Sequence, residues 1–161
     1  MSGGVTNIVI AGLGGQGVLK ASGIVADVAF RAGFDVKQSE LHGMSQRGGS
    51  VSSDVRFGRE VFSPMVPDGE VDFLVVVAPD QVALHRGQLR PGGVLIAPEL
   101  IDEKQLANKK SLNVALLGAL SRGLPLEERH WHDSIRASFP EKLHEANLKA
   151  FALGRATRPA P

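Results

Sequence analysis

The stretch Gly12-Leu13-Gly14-Gly15-Gln16-Gly17 follows the β-branched run Ile8-Val9-Ile10-Ala11 and precedes an amphipathic segment. A strand that runs through a glycine turn into a helix is a βα unit, which few fold classes other than α/β accommodate. Gly12, Gly14 and Gly17 satisfy the spacing G-x-G-x-x-G, and Gly15 adds a fourth glycine. Such glycines supply positive φ, close approach of backbone to ligand, and close packing of helix on strand. The opening turn of the helix presents N–H groups and the positive end of its dipole, which favour a phosphate or another anion. A packing role alone would also account for the glycines, so Gln16 and a second unusual stretch downstream carry the functional reading.

The rest of the chain alternates in the same manner. Val18, Ala21, Ile24, Val25, Val28 and Ala29 form one helical stripe that Gly33 ends. Phe34 to Ser39 reads as a second strand with Glu40 near its end, and Leu41 to Gly49 as a loop. Val51, Ser53 and Val55 alternate with polar residues in a strand from Ser50 to Phe57, and Gly58-Arg59 predicts a turn into a hairpin partner at Glu60 to Ser63. Phe73 to Ala78 is continuously apolar, as a central parallel strand is. A short helix from Pro79-Asp80 to about Leu89, a turn at Arg90 to Gly93 and a strand at Val94 to Ala97 follow. Asn113 to Arg122 reads as a buried helix, with Asn113 as its N-cap. Leu126 to Ser138 and Glu141 to Leu153 read as two further helices, and residues 155–161 as a loosely ordered tail. The expectation is one α/β domain over residues 1–161: three layers, a mostly parallel sheet, a Rossmann-like first βα unit and an antiparallel element.

Composition excludes several functions. The 161 residues contain no cysteine, so cysteine-ligated iron–sulfur clusters, thiolate zinc sites and thiol nucleophiles cannot reside on this chain. A net charge of +1 with scattered basic residues gives no footprint for nucleic acid. No apolar run is long enough to span a bilayer, and the start lacks a secretory signal pattern, so the expected location is cytoplasmic. His130 and His132 fall on different helix faces, and no metal site is expected.

The second unusual stretch, from Glu40 to Ser50, concentrates His42, Ser45, Gln46 and Arg47 among Gly43, Gly48 and Gly49. It follows a strand, where open α/β sheets place their ligands. Arg47 offers a planar cationic fork for phosphate or carboxylate, or equally for Asp54 or Glu40. His42 is a candidate acid or base because its unperturbed pKa lies near neutrality. Glu40, 23 positions after Gly17, sits where a dinucleotide-binding fold places a ribose-binding acid, so a free-standing NAD- or FAD-binding module is the alternative reading.

Gly12 to Val18, His42 to Ser50 and Val55-Arg56 together resemble the gamma-type domain of 2-oxoacid:ferredoxin oxidoreductases, in particular the small (beta) subunits of indolepyruvate ferredoxin oxidoreductases. The resemblance continues through Asp72, Gly92-Gly93, Asn113, Gly118, Trp131, Ile135, Lys142, Asn147, Phe151 and Gly154, and the chain is short between about Ile101 and Leu112. It implies a non-redox subunit, inactive alone, that completes the active site for oxidative decarboxylation of a 2-oxoacid such as pyruvate or indolepyruvate to an acyl-CoA. Thiamine diphosphate, Mg2+ and iron–sulfur clusters are then expected on a larger alpha subunit, ferredoxin accepts electrons through the complex, and coenzyme A meets this chain at the interface. The candidate cofactor-facing residues are Gly12, Gly14, Gly15, Gln16, Gly17, Glu40, Ser45, Gln46, Arg47, Gly48, Gly49 and Asn113.

Overall fold

A computed structural model describes residues 4–42 and 48–157. Five strands form one sheet: β1 (Val5–Leu13), β2 (Asp35–His42), β3 (Ser50–Gly58), β4 (Val71–Val76) and β5 (Leu89–Ile96), in the order β2-β3-β1-β4-β5. β1, β4 and β5 run parallel, whereas β3 is antiparallel to both β1 and β2. Four strands therefore point one way, and β3 is the single reversed strand, inserted where a doubly wound nucleotide fold pairs its first two strands directly.

The helices are α1 (Val18–Arg31), the short α2 (Val82–His85) flanked by 3-10 turns, α3 (Leu112–Ser121), α4 (Glu128–Ser138) and α5 (His144–Arg155). α1, α3, α4 and α5 share one core with Ile8, Ile10, Val55, Phe57, Val75 and Ile96 of the sheet. Alternation sends Val9, Leu74 and Val76 to the opposite face. There Val66 and Val82 pack on them beside Leu89 and Leu95 of β5, so the third layer is thin.

α3 is buried all round, as its sequence predicts. It crosses α5 so closely that a Cβ on Gly118 would fall on the carbonyl of Phe151, and one on Gly154 on the carbonyl of Ala115. Trp131 of α4 is fully buried and packs on Phe151, ring centroids 5.5 Å apart. At the N-terminal end of the strands, buried Asp72 accepts from the Asn7 backbone N–H (2.8 Å) and from Arg90 Nε (2.6 Å). Asn7 Oδ1 in turn accepts from Arg56 Nε (2.8 Å). Asp72 is thus a structural anchor at the end of the sheet remote from the glycine turn.

Three local expectations are corrected. Glu60 to Ser63 forms no strand. β1 and β2 already occupy both edges of β3, and the segment is held instead by side chains: Asp35 accepts from the Val61 N–H (2.8 Å), Asp54 from the Val66 N–H (2.9 Å), and Arg56 donates to the Ser63 carbonyl (2.8 Å). β5 begins at Leu89, and the Arg90-to-Gly93 turn lies inside it as a bulge between the pairs Val71↔Leu89 and Phe73↔Val94, with Gly92 at φ 81°. Arg155 closes α5 instead of opening a loose tail, and Thr157 bonds back to the Gly154 carbonyl; residues 158–161 lie outside the described set.

Candidate functional site

The glycine turn leaves β1 at the carboxyl end of the parallel strands, beside β4, and α1 and α2 pack on opposite faces. This is the crevice at which open α/β sheets bind ligands. Each glycine has a visible cause. A Cβ on Gly12 would stand 2.9 Å from both Gln16 Oε1 and Val18 Cγ2, and Gly15 and Gly17 have φ of 87° and 77°. Gly14 donates its N–H to the Gly49 carbonyl (2.9 Å), and a Cβ there would approach the Gly48 backbone N at 3.2 Å. The structure therefore brings the two glycine-rich stretches together through backbone.

Gln16 folds back on its own loop. Its Oε1 accepts from the Leu13 N–H at 2.7 Å, so this oxygen shapes the turn. Asn113 is not an N-cap: α3 starts at Leu112, with Ser111 in the cap position. Asn113 is 5% exposed. Its Oδ1 accepts from the Val114 N–H (2.9 Å), and its Nδ2 donates to the Gly17 carbonyl (3.1 Å), linking the start of α3 to the start of α1. Ser50 adds a further tie, donating to Gln81 Oε1 (2.7 Å) just beyond β4.

Beside this turn lies a cleft of about 390 Å³ between Gly15–Gly17, Asn113 and Phe139, with Lys20, Lys109 and Lys110 on its walls. Lys20 donates to the Ser138 carbonyl (2.9 Å) and lies 5.4 Å from the centre of the Phe139 ring. No side chain caps the N-terminus of α1, and its first turn carries no acid. Ammonium groups, an amide and a positive helix end, with no carboxylate in the lining, form a donor set for an anion and not for a divalent cation. Lys20, Lys109, Lys110 and Phe139 escape sequence reasoning. Surface lysines have no period or motif, and only the fold brings residues 20, 109–110 and 139 together.

The remaining sequence candidates separate. Glu40 pairs with Ser53, which pairs with Ile10, so Glu40 is two strands from β1, on the order of 10 Å. It does not occupy the ribose position, which requires adjacent strands. Gly48 (φ 84°) and Gly49 stand against Gly14. The backbone of His42 ends β2, opposite Val51. The side chain of His42, and Ser45, Gln46 and Arg47 entirely, lie outside the described residues.

A glycine turn beside a lysine-walled cleft on an α/β sheet with one reversed strand has the chemistry of an anion site, and comparison with known proteins gives the family. Residues 7–157 match the family model for pyruvate ferredoxin/flavodoxin oxidoreductase, and the chain belongs to that family. It is 35% identical to the indolepyruvate oxidoreductase subunit IorB of Thermococcus kodakarensis, over 92% of this chain and 93% of that one. The aligned span of 188 positions exceeds the 161 residues here, so the relative carries segments this chain lacks. It is 28% identical to the common gamma subunit of the pyruvate and ketoisovalerate oxidoreductases of the same organism, over 86% of this chain and 89% of that one. Among solved structures, the 2-oxoglutarate:ferredoxin oxidoreductase of Magnetococcus marinus, with 2-oxoglutarate, coenzyme A and succinyl-CoA bound, superposes with a TM-score of 0.81 at 21% identity. That match covers 94% of this chain and about 30% of that one. The dinucleotide-module alternative finds no support in the comparisons.

Proposed function

We propose that this chain is the small, non-redox subunit of a 2-oxoacid:ferredoxin oxidoreductase of the indolepyruvate type. The observation that carries the reading is the joining of both glycine-rich stretches and Asn113 at one crevice beside a cleft suited to an anion. The anion that suits it is coenzyme A, whose phosphates match the lysines and the α1 N-terminus and need no bridging metal. In the overall reaction a 2-oxoacid loses CO2 and its acyl group passes to the coenzyme A sulfur, while two electrons leave for ferredoxin.

With no cysteine here, the clusters belong on another chain, as do thiamine diphosphate and Mg2+, for which the cleft offers no carboxylate. Thiamine diphosphate supplies the carbanion chemistry of decarboxylation when bound there. On this chain, backbone N–H groups after Gly14 and the lysine walls hold and orient the anionic end of the acyl acceptor, and Arg47 adds its guanidinium. A relative whose name assigns it in common to pyruvate and ketoisovalerate enzymes supports placing substrate choice on the large subunit. No described helix is long and apolar enough to cross a membrane, and we place the complex in the cytoplasm.

The test is native purification of the tagged chain from its own source. The expected result is a brown large subunit that co-purifies and carries thiamine diphosphate. A colourless lone chain that binds NAD or FAD would overturn the reading.

A further inference from the structure

Two side-chain amides stand at the glycine turn, and their hydrogen bonds fix which way round each one lies. A backbone N–H donates and never accepts, so the atom of Gln16 that meets the Leu13 N–H at 2.7 Å is its oxygen. That oxygen also stands 2.9 Å from where a Cβ on Gly12 would be. Gly12 and Leu13 take no part in the wall of the cleft, whereas Gln16 does. The acceptor of this amide is therefore turned back to β1. Its Nε2 has no acceptor among the described residues and is left to the cleft. Asn113 obeys the same logic. Its Oδ1 is taken by the Val114 N–H, and Nδ2 spends one N–H on the Gly17 carbonyl and keeps the other.

With both amide oxygens occupied, the side chains around the cleft offer donors alone: Gln16, Asn113 and the ammonium groups of Lys20, Lys109 and Lys110. The two kinds of donor act differently. Lys109 and Lys110 are exposed point charges on flexible stems, which attract an anion without fixing its orientation. The Gln16 amide is tied through its own oxygen to the backbone of the turn, so its N–H groups have a set direction before any ligand arrives.

We propose that Gln16 orients the ligand: Nε2 donates to an anionic oxygen in the cleft, on a phosphate of the acyl acceptor or on the carboxylate of the 2-oxoacid. The same side chain braces the turn with its oxygen and reads the ligand with its nitrogen. The proposal rests on the subunit reading above.

The isosteric change Gln16→Glu separates the two roles, because it keeps the acceptor for the Leu13 N–H and replaces only the outward N–H groups by a charged oxygen. In the assembled complex the melting temperature should hold while the KM of one anionic substrate rises about tenfold or more through like-charge repulsion. A rise for coenzyme A identifies a phosphate, and a rise for the 2-oxoacid a carboxylate. A residue that only braces the turn predicts unchanged KM values for both, and that result would overturn the proposal. The penalty should also shrink as the pH falls through the titration of the introduced carboxyl, since protonation restores an outward donor; a penalty independent of pH would assign the loss to a distorted turn and overturn the proposal as well. Gln16→Met, which carries no charge, should raise the same KM with kcat nearly unchanged. An unaltered KM there overturns the proposal even if the Gln16→Glu chain does not assemble. An unsubstituted complex that oxidises no 2-oxoacid would overturn the subunit reading. Calorimetry of the full chain with inorganic pyrophosphate then tests Gln16 separately: binding lost in Gln16→Glu is expected, and binding equal to that of the unsubstituted chain, or absent from both, would overturn the role of Gln16.

Discussion

Asn113 Nδ2 donates to the carbonyl of Gly17 over 3.1 Å, joining two residues 96 positions apart. Gly17 is in the left-handed region at φ 77°, and a Cβ added there would run into that same amide. The bond therefore fixes the glycine turn and forbids a side chain at its last position. Asn113→Ala removes it and also leaves the Val114 N–H without its acceptor, at a cost of about 1–3 kcal/mol. Gly17→Ala adds left-handed strain of roughly 1–2 kcal/mol to the clash. In the double variant the clash is gone, so the losses should sum to less than the two single effects in denaturant melts. Strict additivity would show that the two residues are not coupled.

Lys109 and Lys110 are exposed and face the cleft beside Gly17. Replacing both with Ala should raise the KM for coenzyme A in the assembled enzyme and leave kcat nearly unchanged, because a uniform binding contribution is lost. Two exposed charges account for about 1–2 kcal/mol together, a factor of roughly 5–30. The effect should shrink in high salt. Steady-state kinetics at two ionic strengths decide it.

Arg47→Ala should lower turnover of the complex while the subunits still co-elute in gel filtration. This rests on the proposed anion site and on the pairing of Gly14 with Gly49, two positions beyond Arg47 in sequence. Unchanged kinetics would remove Arg47 from the site.

His85 is buried on α2, and neither ring nitrogen has a hydrogen-bond partner among the described residues. Burial pushes its pKa below the ordinary value of 6.5, against smaller opposing effects from Gln88 and Asp54. The unfolded chain then takes up a proton at higher pH than the native one does. Stability is full above about pH 6.5 and falls as the pH drops through that value toward the depressed one. Asp54, shifted upward, acts in the opposite sense nearer its own range. His85→Leu should flatten the decline between pH 6.5 and 5 in thermal melts, and an unaltered profile would assign the decline elsewhere.

Gly118→Ala and Gly154→Ala each drive a methyl group into backbone of the facing helix, Phe151 and Ala115 respectively. Neither helix can move away without opening the core around Trp131 and Phe151, so each change should cost about 3 kcal/mol or more. Loss of soluble protein, or a melting point lowered by many degrees, is the expected readout.

The first βα unit was legible because Gly12, Gly14 and Gly17 have backbone causes, and backbone causes leave fixed spacings in sequence. α3 was legible for a similar reason: a helix apolar on every side has few places to go. The Glu60-to-Ser63 segment misled because its pattern suits a strand, whereas the edges of β3 were already taken by β1 and β2, a long-range fact. The β5 bulge concealed itself likewise, since Pro91, Gly92 and Gly93 read as a turn whether or not the strand resumes in register. In the site, Gln16 and Asn113 both line the cleft, and only the reading of Asn113 as an N-cap changes, because α3 begins one residue earlier. Each hydrogen-bonds the glycine turn, which spacing cannot distinguish from facing a ligand.

The ladder between β1 and β3 runs unbroken from Val5↔Gly58 to Leu13↔Ser50, and Gly14 extends it by one more bond to Gly49. The floor on which a ligand would lie is thus the continuation of a sheet, as stiff as the sheet itself and already set before anything arrives. On the subunit reading proposed above, any gating of the crevice falls to the chain that meets it there, and the timing of turnover belongs to the assembly.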